Sequence, residues 1–137
     1  MKKVFVDTNI LVDLLADRKP FSNHAIEIFS MAEDGKLQLF ASSHSIATTY
    51  YLLKKYMNDK DLRRIISGLM DYLVVIPVDT DVLRKSLRSG VKDFEDAVQI
   101  FCAASVHKLD CIVTRNVKDY KGSALSVLAP DELCALL

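Results

Sequence analysis

Lys3-Val4-Phe5-Val6-Asp7-Thr8-Asn9-Ile10-Leu11-Val12-Asp13 is the stretch that decides how this chain reads. A short apolar run, Lys3 to Val6, ends in three polar, turn-forming residues, the pattern of a buried strand. Apolar residues resume at Ile10, which predicts a helix after the turn. Asp7 then lies at the carboxyl end of a strand, the edge of an open α/β sheet at which ligands bind.

Working outward, the chain keeps alternating. Pro20 is expected to stop the first helix and Ser22 to cap the second, along which Ala25, Ile26, Phe29 and Ala32 recur at helical spacing until Gly35. Leu37 to Ala41 reads as a second strand. A helix from about Ser45 to Met57 follows, with Ile46, Tyr50 and Leu53 inward and Ala47 and Tyr51 beside them. Leu62, Ile65, Ile66, Leu69 and Leu73 mark its partner in an αα-hairpin. Tyr72 to Ile76 is a third strand and Asp79 to Leu87 a short helix. Asp93 to His107 is a longer helix, with Phe94, Ala97, Val98, Phe101 and Ala104 inward. Cys111 to Val113 and Leu125 to Val127 read as the last strands, with a turn of helix opening at Pro130. Strands alternating with helices predict an α/β fold with a mainly parallel sheet.

The 137 residues suit a single domain, 1–137, and half of them are hydrophobic, which excludes a disordered chain. Lysine plus arginine, 18, equals aspartate plus glutamate, 18, so net charge supplies no attraction for nucleic acid; a local basic rim remains open. Cys102, Cys111 and Cys134 are odd in number and show no disulfide or zinc spacing, and read as reduced core thiols. No secretory signal pattern or membrane-length apolar run is present, and a cytoplasmic location is expected.

No phosphate-binding loop, dinucleotide fingerprint or nucleophile elbow occurs. What remains is acids near strand ends: Asp7, then Asp93 and Asp96, then Asp119. Carboxylates brought together repel one another, and a hard divalent cation such as magnesium or manganese relieves this. Such an ion can activate water against a phosphodiester. Plainer roles fit the local sequence equally. Asp7 can cap a helix, Asp93 and Asp96 have capping-box spacing, and Asp119 can be a loop acid. Capping by Asp93 does not prevent Asp96 from pointing into a cleft. His24, His44 and His107 read as structural or solvated.

Three stretches together resemble the PIN-domain ribonucleases, the fold of the toxins in VapBC-type toxin–antitoxin pairs. Phe5 to Asp13 is similar to their opening motif. Asp93-Phe94-Glu95-Asp96-Ala97 is similar to the central acidic motif, and Ile112-Val113-Thr114-Arg115-Asn116-Val117-Lys118-Asp119-Tyr120 to the last. The resemblance spans essentially the whole chain. It implies a three-layer α/β/α sandwich with an inserted helical pair, and RNA hydrolysis with Mg2+ or Mn2+ that leaves a 5′-phosphate. Carried over by motif, Asp7 and Asp96 are the core metal ligands, Asn116 or Asp119 takes the last place, and Asp93 is an additional acid. Thr8, Asn9 and Thr114 orient ligands or water. Arg115, Lys118, Lys54 and Lys55 are candidate contacts to RNA phosphates. The resemblance also implies a homodimer and a protein antitoxin.

One position departs from the pattern. The family's carboxylate early in the helix after the second strand falls at Thr48, and no acid lies between Ala41 and Met57. The first expectation is therefore a metal-dependent endoribonuclease with one acid missing. The alternative is a protein of the same fold that binds RNA or a partner with weak or lost cleavage. A structural or assembly role is the third.

Overall fold

The computed structural model describes residues 1–137. The sheet has five strands: β1 (Lys2–Val6), β2 (Leu37–Ser42), β3 (Leu73–Ile76), β4 (Cys111–Val113) and β5 (Val127–Leu128). Their spatial order is β3-β2-β1-β4-β5, and every pairing is parallel. Seven α-helices connect and flank them: α1 (Thr8–Leu15), α2 (Ser22–Glu33), α3 (Ser43–Leu53), α4 (Asp59–Met70), α5 (Thr80–Arg88), α6 (Phe94–Ala104) and α7 (Pro130–Leu136).

Residue alternation along β1 shows why there are three layers. Val4 and Val6 point to one face, where Ile10 and Leu11 of α1, Ile28 and Phe29 of α2 and Leu133 of α7 meet them. Phe5 points to the other face, against Val82 of α5, Val98 and Cys102 of α6, and Tyr120. A strand buried on both faces reads as a continuous apolar run, as this one does. Burying one such side chain contributes about 1.5–3 kcal/mol. The α3–α4 hairpin is inserted between β2 and β3. It packs Leu53, Leu62 and Ile66 against Val12 of α1 in a smaller cluster of its own.

The strand order reverses between β2 and β4, on either side of β1. That creates a crevice beyond the carboxyl ends of β1 and β4, the position at which open α/β sheets bind ligands.

Several local expectations are corrected. Helix α1 ends at Leu15, well before Pro20, because Asp17 takes the left-handed conformation, φ +49°. Ser22 does not cap α2. Phe21 is already helical, and the buried Ser22 Oγ has no hydrogen-bond partner. In α3 Leu53 is buried and Ile46 and Tyr50 pack half-buried, as expected, but Ser45 and Thr49 are buried too and Tyr51 is 64% exposed. The Thr49 hydroxyl donates to the Ser45 carbonyl at 2.7 Å, which makes its burial tolerable. Phe94 and Ala104 face solvent at the two ends of α6. Ala97 and Val98 are buried as expected and Phe101 packs half-buried beside them, while Gln99, Ile100, Cys102 and Ala103 widen the buried face because the helix is wedged between the sheet and α5. The last strand is Val127–Leu128.

Candidate active site

Asp7 is where β1 stops and α1 starts. Its backbone N–H donates to Val113 of β4, and its carboxylate caps α1, Oδ1 accepting from Thr8 N–H at 2.8 Å. Two more donors converge on it. Gln99 Nε2 reaches Oδ1 at 3.0 Å and the Thr114 hydroxyl donates to Oδ2 at 2.7 Å. A carboxylate offers about four acceptor positions, so one side stays open. All three donors are neutral, and no cationic side chain pairs with Asp7, although it is 8% exposed. The side chain that caps α1 thus also lines a cleft.

The donors are themselves held. Gln99 Nε2 also donates to Ser45 Oγ at 2.9 Å, and the Gln99 carbonyl accepts from Ser42 Oγ at 2.6 Å. Ser45 Oγ is 2.8 Å from the Thr8 hydroxyl. Asn9 Nδ2 donates to Thr114 Oγ1 at 3.3 Å, while Asn9 Oδ1 accepts from Arg115 N–H. Ser42, Ser45, Gln99 and Thr114 are buried, and a satisfied network of this kind restricts Asp7 to one orientation.

In front of Asp7 lies a cleft of about 440 Å³. Its walls include Thr8 and Asn9, Asp96 and Gln99 of α6, Thr48 of α3, and Asn116. Asp96 is thus in the same cleft as Asp7. Asp93 caps α6, accepting from Asp96 N–H at 3.0 Å, and Asp96 is left free in the first turn. Burial first, then the charges of Asp93, Asp119, Asp7 and Glu95, push the Asp96 carboxyl up to about 6. Asp7, Asp93, Glu95 and Asp119 thus all lie near enough to Asp96 for their charges to act on it. Asp119 lies just outside the cleft, on the wall of a neighbouring cavity with Lys118. Tyr120 is buried behind the site. Burial and the adjacent Asp7 raise its hydroxyl far above the ordinary tyrosine range.

Other residues fall differently from expectation. Arg115 does not face the cleft. It forms a two-pronged ion pair with Asp13, 2.7 and 3.1 Å, and lies over the Phe21 ring at 4.1 Å. Asp13 is 1% exposed, each of its carboxylate oxygens accepts from Arg115, and it does not line the cleft. Lys54 and Lys55 are exposed just past α3, over the rings of Tyr51 and Tyr56.

Sequence reasoning missed Gln99, Ser42, Ser45, Arg18, His44 and Glu95. Arg18 and His44 also line the cleft. His44 Nε2 lies 3.4 Å from the Thr48 hydroxyl and 3.8 Å from Glu95 Oε1, so a carboxylate stands across from Thr48 on α6. Nothing in a linear pattern distinguishes these residues. Only Glu95, inside the quoted acidic motif, carried a usable signal.

The three cysteines are free thiols, with Cys102 and Cys111 buried. Burial raises all three, Cys111 to about 11 and Cys102 and Cys134 to about 12. Away from the cleft, His24, Glu27 and Cys134 each bring a ligand atom to within 4.8 Å of the others, a set able to coordinate a metal ion. No helix is long and apolar enough to cross a membrane.

Comparison with known proteins places the sequence and the fold among known families. The sequence profile of the PIN domain matches residues 3–118. Ribonuclease VapC1 of Aquifex aeolicus (strain VF5) is 29% identical over 136 residues, which cover 97% of this chain and 94% of that protein. A toxin–antitoxin complex from Klebsiella pneumoniae contains a chain 28% identical, with a TM-score of 0.67 over 93% of this chain and 97% of its own. FitAB bound to the IR36 DNA fragment, 17% identical, has a TM-score of 0.70 over 93% and 94% of the two chains, a likeness of fold.

Proposed function

The chain belongs to the PIN-domain family and is closely related to the toxin components of VapBC-type pairs, and from that premise we propose that it is a metal-dependent endoribonuclease. The observation that carries the reading is that Asp7 and Asp96 line the same cleft and neither forms an ion pair with a cationic side chain, while the Asp7 charge acts on Asp96. Such an oxygen donor set fits a hard divalent cation, Mg2+ or Mn2+. Asp7 and Asp96 would hold it, with Asn116 lining the same cleft and Asp93 and Asp119 adding negative charge nearby. When bound, the ion supplies Lewis-acid polarisation of a phosphodiester and a water of lowered pKa.

The chain's own residues do the positioning. Thr8 N–H, Gln99 and Thr114 lock the Asp7 carboxylate, and Asn9 holds Thr114 and the Arg115 backbone. Arg18 and His44 at the cleft offer positive or neutral donors to RNA phosphates. Lys54, Lys55 and Lys118 stand outside it as weaker candidates. Arg115 is withdrawn from that role by Asp13. By analogy with its relatives, the substrate is RNA, an antitoxin protein is the partner and the chain forms a homodimer. RNA cleavage with Mn2+, compared between wild type and the D7N and D96N variants, tests the reading. Loss in both variants is expected; activity that survives both overturns it.

Thr48 favours a second reading, a PIN-domain protein that binds RNA or a partner with little cleavage. It lines the cleft and offers a neutral hydroxyl at the place where the family resemblance implies a carboxylate. Calorimetry with Mn2+ separates the two: neither metal heat nor cleavage supports the second.

A further inference from the structure

We propose that His24, Glu27 and Cys134 form a second cation site, for a thiophilic ion of the Zn2+ class, that clips α7 to α2. His24 and Glu27 are one helical turn apart on α2 and share a face. Cys134 comes from α7, its Sγ 3.9 Å from the His24 carbonyl. The three ligand atoms lie within 4.8 Å of one another, and His24 Nδ1 is 4.0 Å from Glu27 Oε2. A tetrahedral zinc ion spaces its ligand atoms by about 3.4–3.7 Å, so closure needs rotamer shifts of about 1 Å and no backbone movement.

A second observation points the same way. His24 Nδ1 is buried and has no hydrogen-bond partner. An orphaned imidazole nitrogen is costly, and a metal ion satisfies it. Imidazole, thiolate and one carboxylate are the donors that structural and catalytic zinc sites use, whereas magnesium does not take sulfur. The set therefore selects a different metal from the all-oxygen acids around Asp7. A cavity of about 410 Å³ lies beside the trio, lined by His24, Pro130 and Asp131 among others but not by Glu27 or Cys134. Binding replaces the S–H bond by a sulfur–metal bond, and the proton leaves to solvent.

The site ties positions 110 residues apart in the chain, which makes the ion a cross-link closing most of the molecule. It also explains why a search for local zinc spacing finds nothing: the donors come from opposite ends of the chain.

Cobalt(II) titration of the full chain tests the site, because a thiolate ligand produces a sulfur-to-cobalt charge-transfer band that oxygen ligands do not. One equivalent per chain should generate the band. C134S should abolish it and H24A should weaken Co2+ binding at least tenfold, while D7N and D96N should leave it intact. Failure here is thus separate from failure of the nuclease reading. Zn2+ at a hundredfold over its dissociation constant should raise the melting midpoint by about 8 °C more in wild type than in C134S. Absence of the band, its persistence in C134S, or an unshifted melt would show the trio to be a packing contact and overturn the proposal.

Discussion

Asp96→Asn should leave the cation-free protein more stable at neutral pH while removing cleavage. In the folded chain the Asp96 carboxyl is pushed up to about 6, by burial and then by Asp93, Asp119, Asp7 and Glu95. In the unfolded chain it titrates near 3.9. A raised acid stabilises fully only below its unfolded pKa, where both states are protonated. As pH rises from about 4 through 6, the unfolded chain ionises freely and the folded one does not, so stability falls. Two units of displacement correspond to about 3 kcal/mol at full weight. The side chain is partly exposed and screened by salt, which reduces this to about 1 kcal/mol. Asparagine removes the charge, keeps the shape and sacrifices no contact, since the Asp96 side chain makes no hydrogen bond within the protein while its backbone N–H keeps the Asp93 cap. Urea unfolding with a chelator present is the assay. The stability of D96N relative to wild type should grow by most of ~1 kcal/mol between about pH 4 and pH 7. Saturating Mn2+ should shrink or reverse the difference, because only wild type binds the ion well. A difference that is flat with pH, or D96N the less stable protein at neutral pH, would refute the electrostatic account of the cleft.

Other perturbations reach different parts of the same machinery. Q99A strands the Asp7, Ser42 and Ser45 groups that Gln99 satisfies; it should cost about 2–3 kcal/mol in chemical denaturation and lower cleavage by loosening Asp7. D13A leaves Arg115 without its partner and should cost about 3 kcal/mol. The D13A/R115A double variant should cost less than the sum of the singles in a double-mutant cycle. T48E restores a carboxylate to the cleft and should tighten Mn2+ binding by about an order of magnitude in calorimetry. If T48E also raises the cleavage rate, the missing acid is what limits this chain.

Local sequence was sufficient for whatever depends on near neighbours. The run Val4-Phe5-Val6 followed by Asp7-Thr8-Asn9 announces a doubly buried strand ending in an acid, because alternation and turn preference act over a few residues. The spacing of Asp93 and Asp96 announces a cap and a free acid one turn later for the same reason. Three motifs in order were enough to suggest the family. Where those motifs meet depends on strand order and register, which no local pattern encodes. Only folding brings Gln99 against Asp7, 92 residues away, pairs Asp13 with Arg115 across 102, and turns Tyr51 outward. The same holds for His24, Glu27 and Cys134, unremarkable in the chain and adjacent in space. The chain alone determined which elements form and which acids end them. The tertiary structure decided which acids remain unpaired, because pairing and burial are set by distant neighbours.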